Sequence, residues 1–219
     1  MLDTSGVTRV LKSDPVAVVA GANRPFRLLF WGLFNLSKFL QPDLVLGSSV
    51  LDLTPEIIQR YGLRGLVLDV DETLVPISTA DIPDEIYQWI EGLKPMVSLW
   101  LVSNNLSQTR ISRIAQSLDV PYILGARKPS RRKLRQAVAA MNFPVHQVGM
   151  VGDRLFTDVL AGNRLGMFTI LVEPMVSPTQ TRRCYPVRAL EVWLSQLLGA
   201  SLSAHQSMQQ NDTQRNRNT

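Results

Sequence analysis

The ten residues from Leu66 to Val75, LVLDVDETLV in one-letter code, constrain the fold more than any other stretch. The opening apolar run has the length of a strand, and its lack of alternation fits a strand covered on both faces, as in a parallel sheet. It ends in two aspartates one residue apart, Asp69 and Asp71. In open α/β sheets ligands bind just outside the carboxyl ends of the strands. Two carboxylates so close repel each other unless a cation or a proton offsets the charge. A single Asp here would read as a strand end followed by a polar turn. The run DVDET directly after an apolar strand calls for a bound partner.

Three later places have the same construction. Leu99 to Val102 is apolar and runs into Ser103 and Asn104. A short strand around Tyr122–Leu124 precedes Lys128, in the sequence ARKP. Met150, Val151 and Gly152 lead to Asp153, with Asp158 five residues on. Each polar residue has an ordinary alternative: Ser103 a helix cap, Lys128 a solvated charge, Asp158 a first-turn acid complementing a helix dipole. Singly, the ordinary reading would win more often than not for Ser103 and Lys128.

In these residues the chain resembles the haloacid dehalogenase-like (HAD) phosphohydrolases. Their first motif, Asp-x-Asp-x-Thr after an apolar strand, is matched by Asp69, Asp71 and Thr73; Ser103, Lys128 and the Asp153/Asp158 pair match the other three. More narrowly, DETLV, SNN, ARKP and GDRLFTD resemble the YqeG-type (HAD IIIA) subfamily, related to phosphatidylglycerophosphate phosphatases of mitochondria and plastids, over residues 38–175. The resemblance implies an α/β, doubly wound (Rossmann-like) HAD fold with a parallel sheet. It also implies that Asp69 attacks phosphorus to form an aspartyl-phosphate, and that Asp71 protonates the leaving oxygen and then activates water. Mg2+ would be held by the Asp69 carboxylate, the Asp71 backbone carbonyl and Asp153, with Asp158 in support. Ser103 and a neighbouring amide would bind phosphoryl oxygens, and Lys128 would stabilise the charge that gathers there. Thr73, Asn104 and Arg131 are the remaining candidates for substrate contact. Glu72 departs from the pattern, since many such proteins carry Asn there, and its side chain is expected to point away from phosphorus.

Strands at 65–70, 98–102, 122–124, 148–151 and 168–172 alternate with helices at 82–93, 130–141 and 157–164 and one carrying Ile111 and Ile114. That alternation is the pattern of a parallel sheet covered on both sides. Family caps are inserted between the first and second motifs or between the second and third. Here those intervals hold little more than one helix each, which implies no large cap domain and an open site.

The 219 residues, 45% of them hydrophobic, suffice for one domain with terminal extensions. We divide them into a flexible N-terminus (1–24), an amphipathic segment (25–48), the phosphatase domain (49–200) and a disordered tail (201–219). From Pro25 to Leu40, apolar residues cover most of the helical circumference, with Arg27, Asn35 and Lys38 on a narrow stripe. The segment is short for a membrane span. It fits a helix lying in the membrane interface, and equally one packed on its own domain or in a dimer. The implied phospholipid substrate favours the membrane. With no secretory signal visible, the expected place is the cytoplasmic side of a membrane, in peripheral contact.

The single cysteine, Cys184, excludes an intrachain disulfide. A net charge of +5 suits an anionic partner. No aromatic residue is interleaved with the basic cluster from Arg127 to Arg135, which counts against nucleic acid. The leading reading is therefore a Mg2+-dependent phosphomonoesterase acting on phosphatidylglycerophosphate. The rivals are a phosphatase for a phosphoprotein, nucleotide or other soluble ester, and a phosphoacceptor or scaffold domain without turnover.

Overall fold

The structure, a computed structural model, describes residues 38–175. Its sheet has six strands: β1 (Leu44–Val45), β2 (Gly65–Leu68), β3 (Ser98–Val102), β4 (Tyr122–Ile123), β5 (Val148–Gly152) and β6 (Phe168–Leu171). All neighbouring pairs are parallel, in the order β1-β6-β5-β2-β3-β4. From β2 the chain winds outward through β3 to β4, then returns to lay β5 on the other side of β2. The direction of winding therefore reverses beside β2, the position where such sheets place a ligand crevice.

Five helices cover the sheet: α1 (Pro55–Arg60), α2 (Asp84–Leu93), α3 (Gln108–Ser117), α4 (Arg132–Met141) and α5 (Leu160–Leu165). Residues of β2 alternate between the two layers, as the two-residue period of a strand requires. Leu66 and Leu68 join the core that contains Ile86 and Ile90 of α2 and Ile111 and Ile114 of α3. Val67 joins the other core, with Leu134, Ala137 and Met141 of α4 and Ala161 of α5. All four β2 residues are buried, which is why the sequence shows an unbroken apolar run there. The sheet is thus the doubly wound α/β arrangement expected. Only α2 lies between β2 and β3, and only α3 between β3 and β4, so no cap domain is inserted there.

The domain begins earlier than Ser49, where the sequence places it. Leu40 is fully buried against Leu155, Val159, Leu160 and Leu171, and Leu44 and Val45 pair with Ile170 and Leu171. Two residues of strand are too few to show an alternating pattern, so β1 was not legible. Part of the proposed amphipathic segment therefore packs on the domain. Its remainder up to residue 37, residues 1–24, and residues 176–219, where the sequence also suggests an amphipathic helix at Leu190–Leu202 and a polar tail, lie outside the described residues. Among the described residues no helix is long and apolar enough to cross a membrane.

The edge strand is fastened by Asp43. Its Oδ2 accepts hydrogen bonds from the Thr169 backbone N–H at 2.7 Å and from the Thr169 hydroxyl at 2.9 Å. Thr169 is fully buried, so losing the carboxylate strands its backbone N–H in the interior, while its hydroxyl can turn to Asn163 Oδ1 at 3.1 Å. Asp43→Ala is expected to lower the unfolding free energy by about 1.5–3 kcal/mol in urea titrations, the usual worth of hydrogen bonds to a charged group. A change within roughly 0.5 kcal/mol, typical of a neutral surface substitution, would show that β1 is no part of the cooperative unit.

Candidate active site

The polar residues of the four motifs meet at the carboxyl ends of β2, β3 and β5. Asp69 follows β2 directly, and its backbone N–H still bonds to the Val151 carbonyl of β5 at 2.9 Å. The sheet thus fixes its position. Beyond it the chain folds back at once: Leu74 and Val75 both donate to the Val70 carbonyl at 3.1 Å, and Val70, Leu74 and Val75 are buried. This apolar turn points the neighbouring carboxylates at a pocket of about 250 Å3, lined by Asp69, Asp71, Ile77, Asn104, Asn105, Lys128, Arg154 and Thr157.

Lys128 is the centre of the cluster. Its ammonium lies 2.5 Å from Asp69 Oδ1 and 2.6 Å from Asp158 Oδ1, and donates to the Val102 carbonyl at 3.2 Å. Asn104 holds the lysine's backbone from both sides: the Lys128 N–H donates to Asn104 Oδ1 at 2.7 Å, and Asn104 Nδ2 donates to the Lys128 carbonyl at 3.2 Å. Asn104 therefore borders the pocket as expected, while its side-chain amide positions the lysine.

Asp153 and Asp158 come from the end of β5 and the π-helical turn Leu155–Val159 that leads into α5. Asp158 Oδ2 accepts from the Arg154 backbone N–H at 3.2 Å, so its side chain organises the turn that carries it. A helix starting at Thr157, as the periodicity predicts, gives way to this wider turn. Gly152 leaves the room: a Cβ there would lie 2.5 Å from the Asp158 carboxylate, closer than real Cβ atoms come.

The remaining candidates are placed differently from expectation. Thr73 is buried, and its hydroxyl faces Asp153 Oδ1 at 3.4 Å, a long contact, outside the pocket lining. Ser103 donates to Asp71 Oδ2 at 2.8 Å and accepts from the Asn105 N–H at 2.9 Å. Arg131 is not among the pocket-lining residues; its guanidinium donates to the Arg164 carbonyl at 2.8 Å on the surface. A basic cluster in sequence thus need not converge in space, because successive helical residues face different directions. Glu72 is not among the pocket-lining residues: it is buried, with φ of 64°, and its Oε1 accepts from the Ile77 N–H at 3.0 Å. Arg110, which the motifs do not include, pairs with Asp71 Oδ1.

The model of the HAD-hydrolase-like family matches residues 125–188. The chain is 34% identical over 143 residues to the probable phosphatase YqeG of Bacillus subtilis, covering 65% of this chain and 82% of that one. The chain belongs to the HAD-like phosphatases. It is also 26% identical to phosphatidylglycerophosphate phosphatase 1 of Chlamydomonas reinhardtii, over 75% of this chain and 65% of that one. With the Arabidopsis thaliana protein of the same name it shares 30% identity, over 64% of this chain and 42% of that one. The chain thus spans under two thirds of the length of these two relatives.

The electrostatics of this HAD phosphatase follow from burial. Asp69 is pushed up to about 8, first by loss of solvent, then by the charges of Asp158 and Asp153, with Lys128 only partly opposing them. Asp153 is pushed up to about 6, again by burial first and then by Asp158, against the pull of Arg154. Burial alone would lower the Lys128 ammonium, but Asp158 and Asp69 more than offset it and hold its proton above the ordinary lysine range. Carboxylate oxygens of Asp69, Asp153 and Asp158 lie within 4.8 Å of one another. Hard divalent cations prefer such all-oxygen donor sets. The set fits Mg2+: it is rich in carboxylates whose ionisation burial opposes, and a cation would favour it. The Asp71 carboxylate stands outside this cluster.

The sign of the pH dependence follows. The ordinary aspartate value is 3.8, so the folded, metal-free protein holds a proton on Asp153 between about 4 and about 6, and one on Asp69 between about 4 and about 8, that the unfolded chain has released. These two groups therefore make stability fall as pH rises through that window. A bound cation replaces the protons, so millimolar Mg2+ is expected to raise the melting temperature more at pH 8 than at pH 5.5. Equal or larger stabilisation at pH 5.5 would contradict this reading of the cluster.

Proposed function

We propose that this HAD phosphatase is a Mg2+-dependent phosphomonoesterase working through an aspartyl-phosphate on Asp69, with phosphatidylglycerophosphate as its substrate. The observation that carries the reaction is the Asp69 carboxylate itself. It ends the central strand, lines the pocket and lies 2.5 Å from a buried ammonium.

Asp69 attacks phosphorus, dividing one difficult hydrolysis into two easier transfers. Lys128, fixed by Asp158 and Asn104, presents a permanent positive charge to the nucleophile and to the phosphoryl oxygens. Asp71 gives a proton to the leaving oxygen and later takes one from the water that attacks the acyl phosphate. Ser103, whose hydroxyl lies on Asp71, turns to a phosphoryl oxygen when substrate enters. Mg2+, held by Asp69 and Asp153 with Asp158 beside them, would offset the charge shared by carboxylates and phosphate.

Four observations support a lipid. Two of the relatives bear the name of phosphatidylglycerophosphate phosphatase. Among the described residues no cap domain is inserted over the pocket, whereas a small sugar phosphate usually calls for a lid that excludes water. The pocket's volume of about 250 Å3 suits a phosphoryl head and leaves no room for acyl chains, which can stay in a bilayer. Ile77, 49% exposed, gives the pocket an apolar lip. Contact with the membrane would be peripheral, on its cytoplasmic side, and made by the part of the Pro25–Leu40 segment that precedes Leu40, which is itself buried in the domain.

Phosphate release with Mg2+ from this lipid in mixed micelles, compared with p-nitrophenyl phosphate, a nucleotide and a phosphopeptide, tests the assignment. Higher kcat/KM for the lipid is expected; faster turnover of a soluble ester would overturn the substrate and leave the chemistry standing. Asp69→Asn is expected to lose on the order of a thousandfold or more in kcat, as nucleophile removal does. Retained hydrolysis would remove Asp69 from the mechanism.

A further inference from the structure

Arg110 belongs to none of the four motifs, yet its guanidinium makes three contacts beside the site. It stands in the first turn of α3, where both it and Asp71 have side chains only 13% exposed. Its Nε donates to the Thr79 carbonyl at 2.7 Å, one terminal nitrogen to the Pro76 carbonyl at 3.0 Å, and the other pairs with Asp71 Oδ1. The second Asp71 oxygen accepts from Ser103. Both carboxylate oxygens are thus held, which stops the side chain from turning.

The three acceptors share one loop, which leaves β2 and reaches the pocket through Ile77. Glu72 fastens the same loop from inside: Oε1 accepts from the Ile77 N–H, and the Glu72 carbonyl accepts from the Met175 N–H at 2.6 Å. Arginine is the residue suited to the outer tie. Its planar fork donates in several fixed directions at once, whereas a lysine ammonium is a compact point charge on a flexible stem.

We infer that Arg110 is a positioning residue for hydrolysis: it fixes the direction of the Asp71 carboxylate and clamps the Pro76–Thr79 lip of the pocket. The inference rests on the proposed role of Asp71 as proton shuttle. Arg110 lies outside the pocket lining and acts through Asp71.

The role predicts a dependence on leaving group that a purely structural role would not produce. p-Nitrophenolate departs without a proton; the alkoxide of glycerol 3-phosphate needs one. For Arg110→Met, kcat/KM for glycerol 3-phosphate is expected to fall on the order of tenfold more than kcat/KM for p-nitrophenyl phosphate, a fraction of the usual worth of general acid catalysis. Free guanidinium should restore part of that loss, and Arg110→Lys should restore little. Equal losses for the two esters, or no loss, would overturn the inference. If Arg110→Met fails to fold, Arg110→Lys carries the same comparison. Asp71→Asn in the same assays separates the two layers. If it shows the leaving-group dependence and the Arg110 variants do not, only the inference about Arg110 fails. If it shows none, the proton-shuttle role of Asp71 falls, and the inference with it.

Discussion

The buried Lys128 ammonium is the interaction on which the site depends. Three carboxylates are gathered within 4.8 Å of one another where strands of a parallel sheet end, and all three are buried. Left alone, such a set would repel itself, and burial would protonate its members one by one. Lys128 stands between Asp69 and Asp158 and offsets both. Removing one partner of a buried ion pair usually costs about 3–5 kcal/mol, because the other charge is stranded. The lysine is therefore a structural requirement of the arrangement, whatever part it takes in the proposed chemistry. Asp69 nonetheless remains raised to about 8, chiefly by burial and then by the charges of Asp158 and Asp153, so one cation does not fully compensate the buried cluster. That residual imbalance is the physical argument for a divalent metal.

The fold supplies the rest by bringing chain ends together. Asp69 leaves β2, Ser103 and Asn104 leave β3, and Asp153 leaves β5, on three adjacent strands. Side chains from one stretch do different jobs: Ser103 meets Asp71, Asn104 holds Lys128, and Arg110 ties the opposite loop. Gly152 does its part by carrying no Cβ where the Asp158 carboxylate passes. Rigid strand ends and short connections set the distances, which is what a charged cluster this tight requires.

The fold class was legible because strong physical constraints mark the sequence, whereas Lys128, Asp153 and Asp158 were picked out beside Asp69 by their match to the family's motifs. A fully buried strand must be apolar throughout, and acids at its end are out of place without a partner. The strand at Ser98–Val102 was readable to the residue for the same reason. What was not legible has equally physical causes. β1 is two residues long and has no periodicity to detect. Arg110 acts at long range, 39 residues from Asp71, on carbonyls that carry no sequence signal. Thr73 braces Asp153 and Asn104 braces a backbone, roles that side-chain chemistry alone does not distinguish from substrate contact. Arg131 sat in a basic run whose members the helix disperses. The wide turn at Leu155–Val159 replaces a regular helix start because Asp158 bonds back to Arg154.

The central claim is that Asp69 becomes phosphorylated during turnover. The most direct measurement is peptide mass spectrometry after an acid quench of the enzyme turning over substrate with Mg2+, with borohydride reduction of any acyl phosphate to homoserine. The account predicts homoserine at position 69 in a substrate-dependent amount, and none at Asp71, Asp153 or Asp158. Steady turnover with position 69 unmodified, or modification at another aspartate, would contradict it.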